Sequence, residues 1–130
     1  MSSKLNGTGV TFSDSTTMSS GQQVAKAWVN FAGSTGTINS SFNVSSITRN
    51  NTGYYTINMT TAMPNINYVV NVSPTTNGTA AALYPCLYAD AVLSNVLIAP
   101  TTSAFVVSYS GYNFAVRYDP TYCMLLVFSS

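Results

Sequence analysis

The 130-residue sequence has no histidine, no glutamate, three aspartates and four cationic side chains, so charged residues make up 5% of it, where soluble proteins average about 25%. Each shortage removes a class of function. General acid–base catalysis needs titratable groups held near one another, and Asp14, Asp90 and Asp119 are the whole supply of carboxylates. A serine triad lacks its histidine, and neither Cys86 nor Cys123 has a base to activate it. Three carboxylates and two distant thiols also fall short of the usual zinc, calcium and transition-metal ligand sets. The expectation is a chain that is not an enzyme, with no cofactor and no metal. A paired-carboxylate glycosidase site would require Asp90 to meet a second aspartate across the fold.

With a formal net charge of +1 there is no basic stripe to neutralise phosphates, which argues against a nucleic-acid partner. Apolar stretches such as 80–89 and 124–128 are interrupted or far shorter than the roughly 20 residues that a membrane helix needs, so no membrane insertion is expected. Residues 1–5 do not lead into an apolar signal segment, which points to synthesis in the cytoplasm. Cys86 and Cys123 lack the paired spacing of a zinc or redox motif. Two buried free thiols are the favoured reading, with a disulfide left open.

What the chain does contain is β-forming residues spaced by Ser, Thr and Asn. Ala27, Val29 and Phe31 alternate with Lys26, Trp28 and Asn30, and Tyr55, Ile57 and Met59 alternate with Tyr54, Thr56 and Asn58, the period-two pattern of strands. Similar stretches run over 41–48, 66–73, 79–88, 92–99, 104–109, 114–118 and 123–128. Turn formers separate them at 33–36, 50–53, 64–65, 77–78, 110–111 and 119–120. Strands at this spacing indicate a sandwich or a barrel, and the expected fold over residues 26–130 is an all-β antiparallel sandwich, jelly-roll-like. Residues 1–25 are too polar to fold alone and read as an extended anchoring segment, with Leu5, Val10 and Phe12 as its docking residues and a turn near Asp14.

Several strands are apolar or aromatic on both faces, as in Tyr54-Tyr55 and 124–128, and one small sandwich covers few such strands twice. A subunit interface is therefore expected, most simply a closed ring of identical copies, with Trp28, Phe31 and Tyr55 in the trimer interface or the core. Tyrosines supply flat apolar faces with a hydroxyl, the chemistry that stacks on sugars. Asn77, Tyr112 and Asn113, in two turn-bearing loops, are the candidate receptor contacts. Arg49, before Asn50-Asn51, reads as hairpin support.

The succession Val10–Asp14 (VTFSD), Lys26–Phe31 (KAWVNF), Ser41–Thr48 (SFNVSSIT), Thr52–Asn58 (TGYYTIN), then Ala62-Met63 leading to Asn67–Val70 (NYVV) resembles a domain at the C-terminal end of many bacteriophage and prophage tail-fibre proteins. The likeness covers about residues 8–73. It implies a trimeric distal knob on the virion surface with no catalytic or metal site. Ser15 stands where that family often has glycine. The family domain follows a long shaft, and this sequence has none before the knob. The expectation is thus a phage virion protein that decorates or cements the capsid, with the major capsid protein or a separately encoded fibre shaft as partner. The alternative is a fibre tip that recognises host-surface glycan.

Overall fold

The computed structural model describes residues 4–6, 9–15, 17–18, 24–73, 75–78, 83–90, 96–112 and 115–129. Two four-stranded antiparallel sheets pack face to face into an open sandwich. One has the order β5-β4-β11-β8, formed by Ile38–Phe42, Ala27–Phe31, Cys123–Phe128 and Val69–Val72. The other has the order β6-β7-β10-β9, formed by Val44–Asn51, Tyr54–Met59, Ala104–Ser110 and Tyr84–Leu87. The all-β sandwich read from the alternation is present. Its first and last strands, β4 and β11, lie side by side from Phe31 opposite Cys123 to Ala27 opposite Val127.

The alternation decides which side chains the sandwich encloses. Ala27, Val29 and Phe31 of β4 and Cys123, Leu125 and Val127 of β11 face Tyr55, Ile57 and Met59 of β7 and Phe105, Val107 and Tyr109 of β10. Tyr55 packs edge-to-face on Phe31 at 5.1 Å between centroids and on Tyr109 at 6.2 Å, contacts that add about 0.5–1.5 kcal/mol each beyond the area they bury.

Three strand expectations change. The stretch 41–48 is not one strand. Asn43, in the left-handed region at φ 56°, turns the chain out of β5 and into β6 of the opposite sheet. Asparagine tolerates that conformation better than most residues, and here its side chain is bonded on three sides. Its Nδ2 donates to the carbonyls of Lys26 and Thr61, both at 3.1 Å, and its Oδ1 accepts from the Thr61 N–H at 2.7 Å. In 92–99 the described residues 96–99 are not in a strand. In 114–118 the described residues contribute a single bridge, Arg117 to Ser110.

Within 1–25, expected to be extended, the described residues double back twice. β1 (Lys4–Asn6), β2 (Gly9–Thr11) and β3 (Thr17–Met18) form an antiparallel meander. Between β2 and β3 the Ser15 N–H donates to the Phe12 carbonyl at 3.0 Å, and Ser15 sits at φ 71°, a conformation that glycine adopts without strain.

Candidate functional site

Strand directions sort the loops into two ends. β4 and β6 run toward one end, where the turns at 33–36 and 51–53 lie and where β8 and β10 end and β9 and β11 begin. The opposite end holds the start of β4, the Asn43 corner, the connections 60–68 and 88–103, and the last strand's exit. We name these the distal and proximal ends. Tyr112, 81% exposed, and Asn77, half-buried, therefore share the distal end, while Asn113 lies outside the described residues. Exposed tyrosines cluster there too: Tyr84 at the start of β9, Tyr112, and Tyr122 just before β11. Exposed aliphatic and phenyl side chains are more numerous on the proximal side, with Phe42, Ile66, Val69, Val96 and Leu97, while Val116 lies at the distal end.

A polar lock stiffens the distal end. Asp119 Oδ1 accepts from the Gly53 N–H at 2.8 Å, the Tyr55 hydroxyl at 2.7 Å and Arg49 Nε at 3.2 Å, and Oδ2 accepts from Arg49 Nη2 at 2.5 Å. The Tyr55 oxygen also lies 2.9 Å from the Gly33 carbonyl, and the Gly33 N–H donates to the Pro120 carbonyl at 3.1 Å. The β6–β7 hairpin thus closes on one carboxylate, and the Gly33 turn of the other sheet joins it through the Tyr55 hydroxyl and the Pro120 carbonyl. Burial works to raise the Asp119 carboxyl, but the Arg49, Gly53 and Tyr55 bonds outweigh it and hold the group below the usual carboxylate range. Burial first, then the bond to Asp119, pushes the Tyr55 hydroxyl far up. Gly53, at φ 63°, is packed so closely that a Cβ would stand 2.5 Å from the Tyr118 carbonyl oxygen.

A second pair closes the outer side of β10. Arg117 Nε donates to Asp90 Oδ1 at 2.8 Å, both side chains being largely buried. Asp90 thus meets an arginine, and so does Asp119, which is the opposite of two carboxylates converging on a glycosidic bond. Both arginines and two of the three aspartates are spent on each other. Among the described residues no three His, Cys, Asp or Glu stand together to hold a metal ion.

The two outer sheet faces differ. On the β6-β7-β10-β9 sheet, one half is a ladder of amides and hydroxyls. Asn58 Nδ2 donates to Ser46 Oγ and Thr48 Oγ1 at 3.1 Å, and Asn50 Nδ2 to Thr56 Oγ1 at 2.8 Å. The other half is covered in part by residues 88–90 and 98. The Tyr88 N–H donates to Val106, Ser108 Oγ donates to Ala89, and the Ile98 N–H donates to Tyr88, leaving Val106, Ser108 and Ser110 buried. The outer face of the β5-β4-β11-β8 sheet carries Trp28, Met124 and Leu126 in its middle, with Phe42 and Val69 on its edges. Trp28 is half-buried there.

The remaining residues singled out from sequence scatter. Phe31 and Tyr55 are fully buried inside the single sandwich. Val10 is half-buried in the meander, paired with Leu5 across β1 and β2, and Phe12 is exposed at its turn. Cys123 is fully buried and Cys86 half-buried, both as free thiols. Asp119 as a hub was missed because its partners lie about 65–70 residues away; the Asp-Pro step signalled a turn and nothing more. No protein-family model, curated protein or solved structure matches the chain.

Proposed function

We propose that this chain is a non-enzymatic structural protein of a tailed-phage particle, a homotrimeric knob displayed on the outside of the virion, in its leading form a decoration or cement protein of the capsid. The observation that carries self-association is the apolar outer face of the β5-β4-β11-β8 sheet. Its counterpart on the other sheet carries hydroxyls and amides and is covered in part by residues 88–90 and 98, whereas Trp28, Met124, Leu126 and Phe42 have no such cover among the described residues; Val96 and Leu97, 70% and 73% exposed, form a second apolar patch. Apolar surface of this kind marks an interaction site when it is contiguous. The phage assignment rests on the ordered resemblance over about residues 8–73. The placing of the first sandwich strand beside the last is what supports a jelly-roll-like reading of the knob.

The bipolar layout fits an anchored knob. β4 begins at the proximal end, so anchoring of the particle-facing segment there, through Leu5, Val10 and Phe12, would leave the distal loops facing outward. A decoration protein in this pose bridges neighbouring coat subunits and stabilises the shell by binding its assembled form. Cryo-electron microscopy of intact particles tests this directly: density for three copies on the head supports it, and density confined to the tail overturns the capsid location.

A second reading, receptor recognition, is favoured by Tyr84, Tyr112 and Tyr122 sharing the distal end with Asn77. With both arginines spent on aspartates, that end offers stacking faces, amides and hydroxyls to an uncharged glycan. Saturable adsorption of the isolated trimer to host cells, lost in Tyr112→Ala, supports this reading; absence of adsorption overturns it.

A further inference from the structure

The sequence has two Asn-Gly steps, at 6–7 and 77–78, and both members of the second are described. Asparagine is a thermally labile residue, and glycine after it leaves the side-chain amide most open to attack by the next backbone nitrogen, because no Cβ stands in the way. In a folded protein the step depends on how that nitrogen is held. At 77–78 the hold is light. Gly78 is exposed at φ 83°, and a Cβ built on it would meet nothing within 4 Å. Its N–H donates at 3.0 Å to Thr76 Oγ1, an exposed hydroxyl two residues back, and not to a strand neighbour. Asparagines elsewhere sit in frames that resist the same step. The Asn43 side chain is bonded on three sides. Asn58 Nδ2 is bonded to Ser46 and Thr48, and the nitrogen that follows, that of Met59, donates to the Ser103 carbonyl at 2.8 Å.

We infer that Asn77 converts, without an enzyme, to aspartate and isoaspartate in the folded protein. The Gly78 nitrogen gives up its proton to hydroxide and forms a bond to Asn77 Cγ, and the amide nitrogen leaves as ammonia. Water then opens the cyclic imide. Cleavage between Cγ and the ring nitrogen gives aspartate, and cleavage at the backbone carbonyl gives isoaspartate, with the chain running through the former side chain. The sum is amide plus water to carboxylate plus ammonium, with nothing oxidised or reduced. Either product adds a negative charge at the distal end, and the formal net charge falls from +1 to zero. Both arginines are already paired with aspartates. The inference does not depend on the function proposed above; under the receptor reading it replaces an amide by a charge in the surface that meets an uncharged glycan.

The test is ageing of the full chain at neutral and at mildly alkaline pH, native and urea-unfolded in parallel, followed by peptide mapping with mass spectrometry. In the native protein the peptide that holds residue 77 should gain the mass of an amide-to-acid exchange, split into two chromatographic forms, and do so faster at the higher pH. Enzymatic methyl transfer reads the isoaspartate form separately. The peptides that hold Asn43 and Asn58 should keep their amides over the same period. Asn77→Gln should abolish the conversion at 77. Gly78→Ala, whose methyl group has room but shields the nitrogen, should slow it severalfold, with the circular dichroism of both variants matching wild type. An amide at 77 that survives in the native chain while the unfolded chain converts shows that the fold protects it and overturns the inference, as does survival in both. Equal conversion at 43, 58 and 77 in the native chain overturns the part given to the loop.

Discussion

Removing the Asp119 carboxylate tests whether the two sheets depend on the distal lock. In Asp119→Ala the buried Gly53 N–H loses its acceptor, which costs about 1–3 kcal/mol. Tyr55 keeps a partner in the Gly33 carbonyl, so its loss is small. The Arg49 pair, a third open to solvent on the arginine side, contributes about 0.5–1 kcal/mol. The expected destabilisation is about 2–4 kcal/mol, a fall in Tm of roughly 10 °C for a domain of this size. Asp119→Asn retains an oxygen for Gly53 and Tyr55 and loses the charge, so about 1 kcal/mol is expected. Thermal and urea unfolding at one fixed chain concentration measure both, because self-association would otherwise shift Tm. The pH dependence supplies an independent check. A carboxyl held below its unfolded value, about 3.9, contributes stability that is complete above roughly pH 4 and is lost as pH falls through the folded value. Asp119→Asn should therefore flatten the acid limb of the stability curve. An alanine variant within about 0.5 kcal/mol of wild type, or an asparagine variant as unstable as the alanine one, would refute the lock.

Three further outcomes follow from other sites. Asn43→Ala removes three hydrogen bonds and strains a left-handed residue, with an expected cost of about 2–3 kcal/mol, whereas Asn43→Gly relaxes φ and should cost about 1 kcal/mol less; equal urea midpoints would show that the backbone conformation is immaterial. The Tyr68 hydroxyl, pushed up to about 12 by burial and then by Tyr88, donates to the Thr101 carbonyl at 2.8 Å. Its contribution should be complete below about pH 10 and disappear as pH rises through 12, and Tyr68→Phe should lose about 1 kcal/mol at neutral pH together with part of that alkaline slope. A disulfide-exchange reagent should leave Cys123 untouched until unfolding, since burial pushes its thiol up, and should label half-buried Cys86 slowly; rapid labelling of both thiols in the native protein would contradict their placement.

The strands were legible where one face is apolar and the other polar, because alternation reports which side chains share a face. It was legible for β4 and β7, down to the residues that enter the core. The Asn43 corner was hidden in a stretch of β-formers, yet it left a trace. Phe42 is exposed and Val44 is buried, although residues two apart in one strand share a face. The change of side is what a switch between sheets requires. The two ion pairs left no comparable trace. Arg49 and Asp119 are 70 residues apart, and Asp90 and Arg117 are 27 apart, so proximity depends on the whole topology.

The scarcity of charge that opened the sequence takes on a different meaning in the fold. Arg49, Arg117, Asp90 and Asp119 act inward, tying turns of the two sheets and closing the outer side of β10. Wetting of the exterior falls to residues such as Ser46, Thr48, Asn50 and Asn58, which are bonded to one another along the sheet. These side chains keep donor and acceptor sites for water and carry no charge. Alternation also accounts for Trp28: with the core side taken by Ala27, Val29 and Phe31, the indole is left facing outward among Met124 and Leu126.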